Sequence, residues 1–116
     1  MAGSLDFHIK QGSDLLLAMT WKIDTVAVNL TGYTARLQAR IDLDESATVL
    51  SLTTDVGGGI TLGGILGTIT FDRTAAQTAL LEYGTFVYDL ELISGAGFVT
   101  RLFAGELTIS GGVTRA

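Results

Sequence analysis

Between Tyr33 and Ile41 the chain alternates apolar and polar residues one for one: Tyr33, Ala35, Leu37, Ala39 and Ile41 against Thr34, Arg36, Gln38 and Arg40. A side-chain period of two belongs to a strand with one face in the core and one in water. The pattern predicts that Tyr33, Leu37 and Ile41 are buried and that Arg36 and Arg40 are exposed. A slip of one residue would bury both arginines unpaired. Leu15 to Ile23 reads as a second strand, with Leu15, Leu17, Met19, Trp21 and Ile23 on one face. Its other face holds Leu16, Ala18, Thr20 and Lys22, so it is apolar on much of both sides. Thr85 to Ile93 and Phe98 to Ile109 read as a hairpin around the turn Ser94-Gly95-Ala96-Gly97, with a bulge expected at Gly105. Phe98 and Leu102 alternate with Val99 and Phe103, which again gives more apolar residues than one core face holds.

Shorter strands are predicted over Leu5–Lys10, Val26–Leu30, Thr48–Thr53, Ile60–Leu62 and Gly67–Asp72, separated by turns rich in glycine and aspartate. The segment Thr74 to Leu81 is the one helical candidate. Thr74 and Gln77 have the spacing of a capping box, and Gly84 stands where a helix-terminating glycine would fall. About eight short, evenly spaced strands with one short helix predict an all-β fold: an antiparallel β-sandwich or flattened barrel. Residues 1–116 read as a single sandwich domain, with no linker or repeat.

Composition narrows the function classes. A chain of 116 residues can bury roughly two-thirds of its unfolded surface, so one core suffices without staples. There is no cysteine, which excludes disulfides, and no proline. The net charge of −5 argues against nucleic acid and against anionic membrane surfaces as partners. No apolar run approaches the roughly 20 residues that span a bilayer. The amino terminus has neither the basic start nor the apolar stretch of a signal peptide, so a chain made and kept in a cytoplasm is expected. Charged residues are only 16% of a chain that is 47% hydrophobic. So few charges fit a protein that lives inside an oligomer or a larger assembly.

Candidate chemistry is sparse. His8 is the single histidine, flanked by Phe7 and Ile9, with no evident nucleophile; a strand histidine is the plainer reading. Asp42, Asp44 and Glu45 lack calcium-loop spacing and read as a solvated turn. Asp89 and Glu91 share the wet face of a strand. The Gly57–Gly64 stretch lacks the lysine and following helix of a phosphate loop. Trp21, Tyr33 and Tyr88 could form a sugar-stacking platform, but their phase assigns them to core faces. Neither an enzyme nor a cofactor or metal is expected. What remains is an interface, and its candidates are Leu16, Arg36, Arg40, Val99 and Phe103: outward apolar residues on two-sided strands, with two arginines suited to a partner's carboxylates.

The run Asn29-Leu30-Thr31-Gly32-Tyr33-Thr34-Ala35-Arg36-Leu37-Gln38-Ala39-Arg40, with Trp21 before it, resembles a pattern in structural proteins of tailed bacteriophages. It is similar to the amino-terminal domain of upper-baseplate or fibre proteins and to small free-standing virion proteins. Gly59-Ile60-Thr61-Leu62, Tyr88-Asp89-Leu90-Glu91-Leu92 and Val113-Thr114-Arg115 fit the same pattern. One departure is that Asp24-Thr25-Val26-Ala27-Val28 has neither the glycine nor the proline usual in the preceding turn. The resemblance implies a β-sandwich that docks other virion proteins and carries no catalytic residue; with so few charges, a homo-oligomer is expected. Its expected setting is the tail, baseplate or fibre of a virion assembled in the host cytoplasm. The alternatives are a capsid decoration protein that clamps shell subunits and a carbohydrate-binding module that recognises the host.

Overall fold

The fold is taken from a computed structural model, which describes residues 3–4, 6–42 and 47–111. The strands in chain order are β1 (Gly3–Ser4), β2 (Phe7–Lys10), β3 (Leu15–Thr20), β4 (Lys22–Ile23), β5 (Val26–Ala27), β6 (Thr34–Arg40), β7 (Leu50–Thr53), β8 (Ile60–Leu62), β9 (Thr68–Arg73), β10 (Gly84–Ile93) and β11 (Val99–Ser110). A 3-10 turn, Gly64–Leu66, joins β8 to β9, and one short helix, α1 (Ala75–Thr78), joins β9 to β10. Sheet one has the order β1-β11-β10-β6-β7, with β2 also on β11. Sheet two has the order β3-β9-β8, and β4 and β5 form a separate hairpin.

The two sheets face each other across a single core. Sheet one contributes Phe7, Ile9, Leu37, Leu52, Leu90, Leu92 and Leu107, and sheet two contributes Ile60, Ile69 and Phe71. Phe7 meets Phe71 edge to face at 5.9 Å between ring centroids and Tyr88 at 6.0 Å. Such aromatic pairs add about 0.5–1.5 kcal/mol beyond the area they bury. The all-β sandwich with one short helix read from the sequence is therefore the fold. Its pairings are antiparallel except that β1 and β2 both run parallel to β11. The strand segments number eleven among the described residues. The extra ones are two-residue elements, too short for any periodicity to mark.

The central alternation of β6 is realised, because Ala35, Leu37 and Ala39 are buried and pair with Leu92, Leu90 and Tyr88. Both ends of the expected pattern differ. β6 stops at Arg40, so Ile41 lies beyond the ladder and is 57% exposed. Tyr33, just before the strand, is half-buried. Arg40, expected in water, is half-buried too: its Nη2 donates to Gln38 Oε1 at 3.0 Å while its Nε is enclosed without a partner.

The β10–β11 hairpin is also as read, but its bulge lies elsewhere. The register shifts between Leu90 and Glu91, where Leu90 faces Phe103 and Glu91 faces Arg101, leaving Leu102 unpaired. Gly105 is regularly paired with Tyr88. Helix α1 carries the full capping box: Thr74 Oγ1 accepts from Gln77 N–H at 3.2 Å, and Gln77 Oε1 accepts from Thr74 N–H at 2.9 Å. It ends at Ala79, and Gly84 instead starts β10. Asp44 and Glu45, the calcium candidates beside Asp42, and Val113-Thr114-Arg115 lie outside the described residues.

Candidate functional site

A two-residue turn closes the β4–β5 hairpin. Trp21 N–H donates to Gly67 O and Val28 N–H donates to Trp21 O, both at 2.9 Å, which fixes the base of the β4–β5 hairpin. Lys22 then pairs with Ala27 and Ile23 with Val26, leaving Asp24 and Thr25 alone at the tip. Both have positive φ, 51° and 68°, as a two-residue turn of the primed type demands. This is the segment where the usual glycine and proline are missing. The turn is made without them, at the cost of holding a β-branched threonine in the left-handed region.

Several loops meet this hairpin at the same pole. Leu30 N–H donates to Gly64 O at 2.8 Å. Gly64 lies against Thr31, and Gly95, in the β10–β11 turn, lies against the Gly32 carbonyl. Beneath them Trp21 packs edge to face on Tyr33, 6.4 Å between ring centroids. The segments joined in this way carry Ile23 and Val26, Ile65 and Leu66, and Phe98 and Val99, all exposed large apolar residues. Exposed apolar side chains scattered singly need no explanation; six of them on three adjoining segments do.

The five interface candidates read from the sequence do not share a surface. Val99 belongs to the apolar pole. Leu16, 76% exposed, stands on the outer face of sheet two beside Asp72, its partner in register. Arg36 and Arg40 belong to β6, Arg36 on the outer face of sheet one. There Arg36 Nε donates to Glu91 Oε1 at 2.7 Å, and Arg101 pairs with Asp89 at 3.2 Å. Phe103, read as outward, turns inward: the bulge at Leu102 inverts the parity, sets Phe103 opposite buried Leu90 and packs it on the core. Strict alternation misses this because one unpaired residue exchanges the two faces. Ile23, Val26, Ile65, Leu66 and Phe98 were not identified from the pattern. Their signal was available, since Ile65-Leu66 is an apolar pair enclosed by Gly63-Gly64 and Gly67, in a turn where polar residues are usual.

The other candidates are more ordinary. His8 is exposed, with Nε2 2.9 Å from Ser110 Oγ. Tyr88 is 6% exposed in the core, so Trp21, Tyr33 and Tyr88 do not form one open platform. Burial first, and the Asp6 carboxylate second, push the Tyr88 pKa up to about 12. Among the described residues no group of three or more His, Cys, Asp or Glu side chains converges as metal ligands would. Among the described residues no helix is long and apolar enough to cross a membrane. A polar cleft of about 520 Å³ opens beside β8, with Tyr33, Asp55, Thr61, Asp72 and Arg73 among its lining.

No protein-family model and no curated protein matches the sequence. Among solved structures, the extracellular domain of the voltage-gated sodium channel β4 subunit, described as a parallel homodimer in cell–cell adhesion, aligns over 97% of this chain and 96% of its own. The identity is 14% and the TM-score 0.48. CopC from Methylosinus trichosporium OB3b aligns over 96% and 89%, again at 14% identity and TM-score 0.48. Likeness at this level carries no functional argument.

Proposed function

We propose that this chain is a non-enzymatic structural module of a tailed-bacteriophage particle, which self-associates and docks other virion proteins of the tail, baseplate or fibre. The observation that carries the assembly reading is the set of six exposed apolar side chains carried by three segments whose backbones meet: the β4–β5 hairpin, the Gly64–Leu66 turn and the β10–β11 turn. A free-standing small domain gains nothing from such a cluster, whereas covering it removes apolar surface from water. The phage setting is supported by the resemblance of the Asn29–Arg40 run to virion proteins. The low charge content fits a surface spent largely on contacts.

The test is localisation and state. Antibody labelling of purified particles should place the protein on the tail apparatus, and the isolated protein should sediment as an oligomer. Labelling of the shell would assign it to capsid decoration. Absence from particles, together with a monomer at high concentration, would refute the proposal.

A further inference from the structure

We infer that the cleft beside β8 is a docking groove for an extended, basic segment of a partner protein. From the proposed function this takes only that the partner is a protein. The cleft's volume of about 520 Å³ falls within the usual range of ligand sites, roughly 300–1,000 Å³, and it runs along an open sheet edge. β8 is last in its sheet; among the described residues its far side meets β7 at its start alone, through an isolated parallel bridge between Thr53 and Gly59 and the Thr53 N–H to Gly58 O bond at 2.9 Å. Asp72 N–H donates to Gly59 O and Gly63 N–H to Thr68 O, each at 2.9 Å. Antiparallel pairing alternates, so the hydrogen-bonding positions on β8 toward β9 are 59, 61 and 63. Leu62, a lining residue of the cleft, therefore turns its own N–H and C=O away from β9. An extended segment can use that pair as an added strand does.

Charge selects the segment. The lining holds two exposed carboxylates, Asp55 and Asp72, against one guanidinium, Arg73. That guanidinium is occupied: its Nη1 donates to Gly57 O at 3.0 Å and its Nη2 to Gly58 O at 2.8 Å. The lining thus carries two carboxylates to one guanidinium, a net charge of −1, in a chain whose net charge is already −5. A lysine or arginine side chain supplies donors to both carboxylates and the opposite charge; an anion would meet a net like charge. A sugar would want an open aromatic face. Tyr33, the aromatic residue of this lining, is half-buried and packed edge-on against Trp21.

The experiment is an amide NMR titration of the full chain with the blocked peptide acetyl-Thr-Lys-Thr-Lys-amide. The same peptide with norleucine for lysine, and maltotriose, serve as comparison probes. The lysine peptide should move the amides of Asp55, Thr61 and Leu62, bind more tightly than the norleucine peptide, and weaken from 0.05 to 0.5 M salt. The double variant Asp55→Asn/Asp72→Asn, altered at two exposed positions, should weaken it about two- to thirtyfold. Equal binding of the two peptides, shifts only outside the cleft, binding of maltotriose alone, or no shift with any probe at millimolar concentration would each overturn the inference. Self-association through the apolar pole is measured separately, so that outcome would leave the assembly reading standing.

Discussion

Replacing Ile65 by serine tests the apolar pole directly. Ile65 lies in the Gly64–Leu66 turn, no residue of which is buried, and its side chain is 72% exposed. The change therefore leaves the core intact. Fully burying an isoleucine is worth about 1.5–3 kcal/mol, and the exposed fraction leaves roughly 1–2 kcal/mol to be gained when a partner covers it. In a twofold dimer both copies lose that gain, about 2–4 kcal/mol in total, which is roughly 30- to 700-fold in the dissociation constant. In a head-to-tail ring each contact loses it once, about 5- to 30-fold. Sedimentation equilibrium of both proteins gives the ratio, and far-UV circular dichroism checks that the β signature is unchanged. The size of the effect thus also reports the symmetry. A ratio within twofold of unity, with the oligomer intact, would refute the argument that this pole is the contact.

Leu37→Ala, at a residue 1% exposed opposite Leu90, should cost roughly 2–5 kcal/mol in urea unfolding; a loss under about 0.5 kcal/mol would show that β6 is not central. Thr25→Gly relieves about 1–2 kcal/mol of left-handed strain and gives back about 0.4–1 kcal/mol through the looser unfolded chain. A small rise in melting temperature is expected, and a fall would contradict the turn geometry. Tyr88 is held neutral, with a folded pKa of about 12 above its ordinary 10. Its stabilisation is therefore whole below pH 10 and lost as pH rises from 10 through 12. Unfolding measured across that interval should show the decline, and Tyr88→Phe should flatten it.

The sheets were legible wherever a strand was long enough to repeat its period. Ala35-Arg36-Leu37-Gln38-Ala39 alternates over a buried and a wet face, and the structure places it in the middle of sheet one. The Thr74–Gln77 box was legible because its two hydrogen bonds are local. Phe103 was not, because its face depends on a bulge fixed by pairing with β10, a relation between distant residues. Ile41 failed for a related reason: the alternation runs one residue past the place where β6 stops. The pole was hidden because its residues belong to three segments distant in sequence, whose backbones meet only in the folded chain. The cleft depends likewise on which edge of β8 is left unpaired, which sequence does not print.

The parallel seating of β2 on β11 has a mechanical consequence. Phe7 lies against Leu107 and Lys10 against Ser110, and both strands run the same way. Tension applied at residues 6 and 111 therefore pulls the two strands past each other along their length. The interstrand hydrogen bonds then share the force together, whereas an antiparallel terminal pair pulled at its open end would unzip one bond at a time. Ile9 and Ile109, paired in this ladder and both in the core, must slide out of the apolar interior in the same event. A domain held by two attachments at residues 6 and 111 therefore resists extension along that axis.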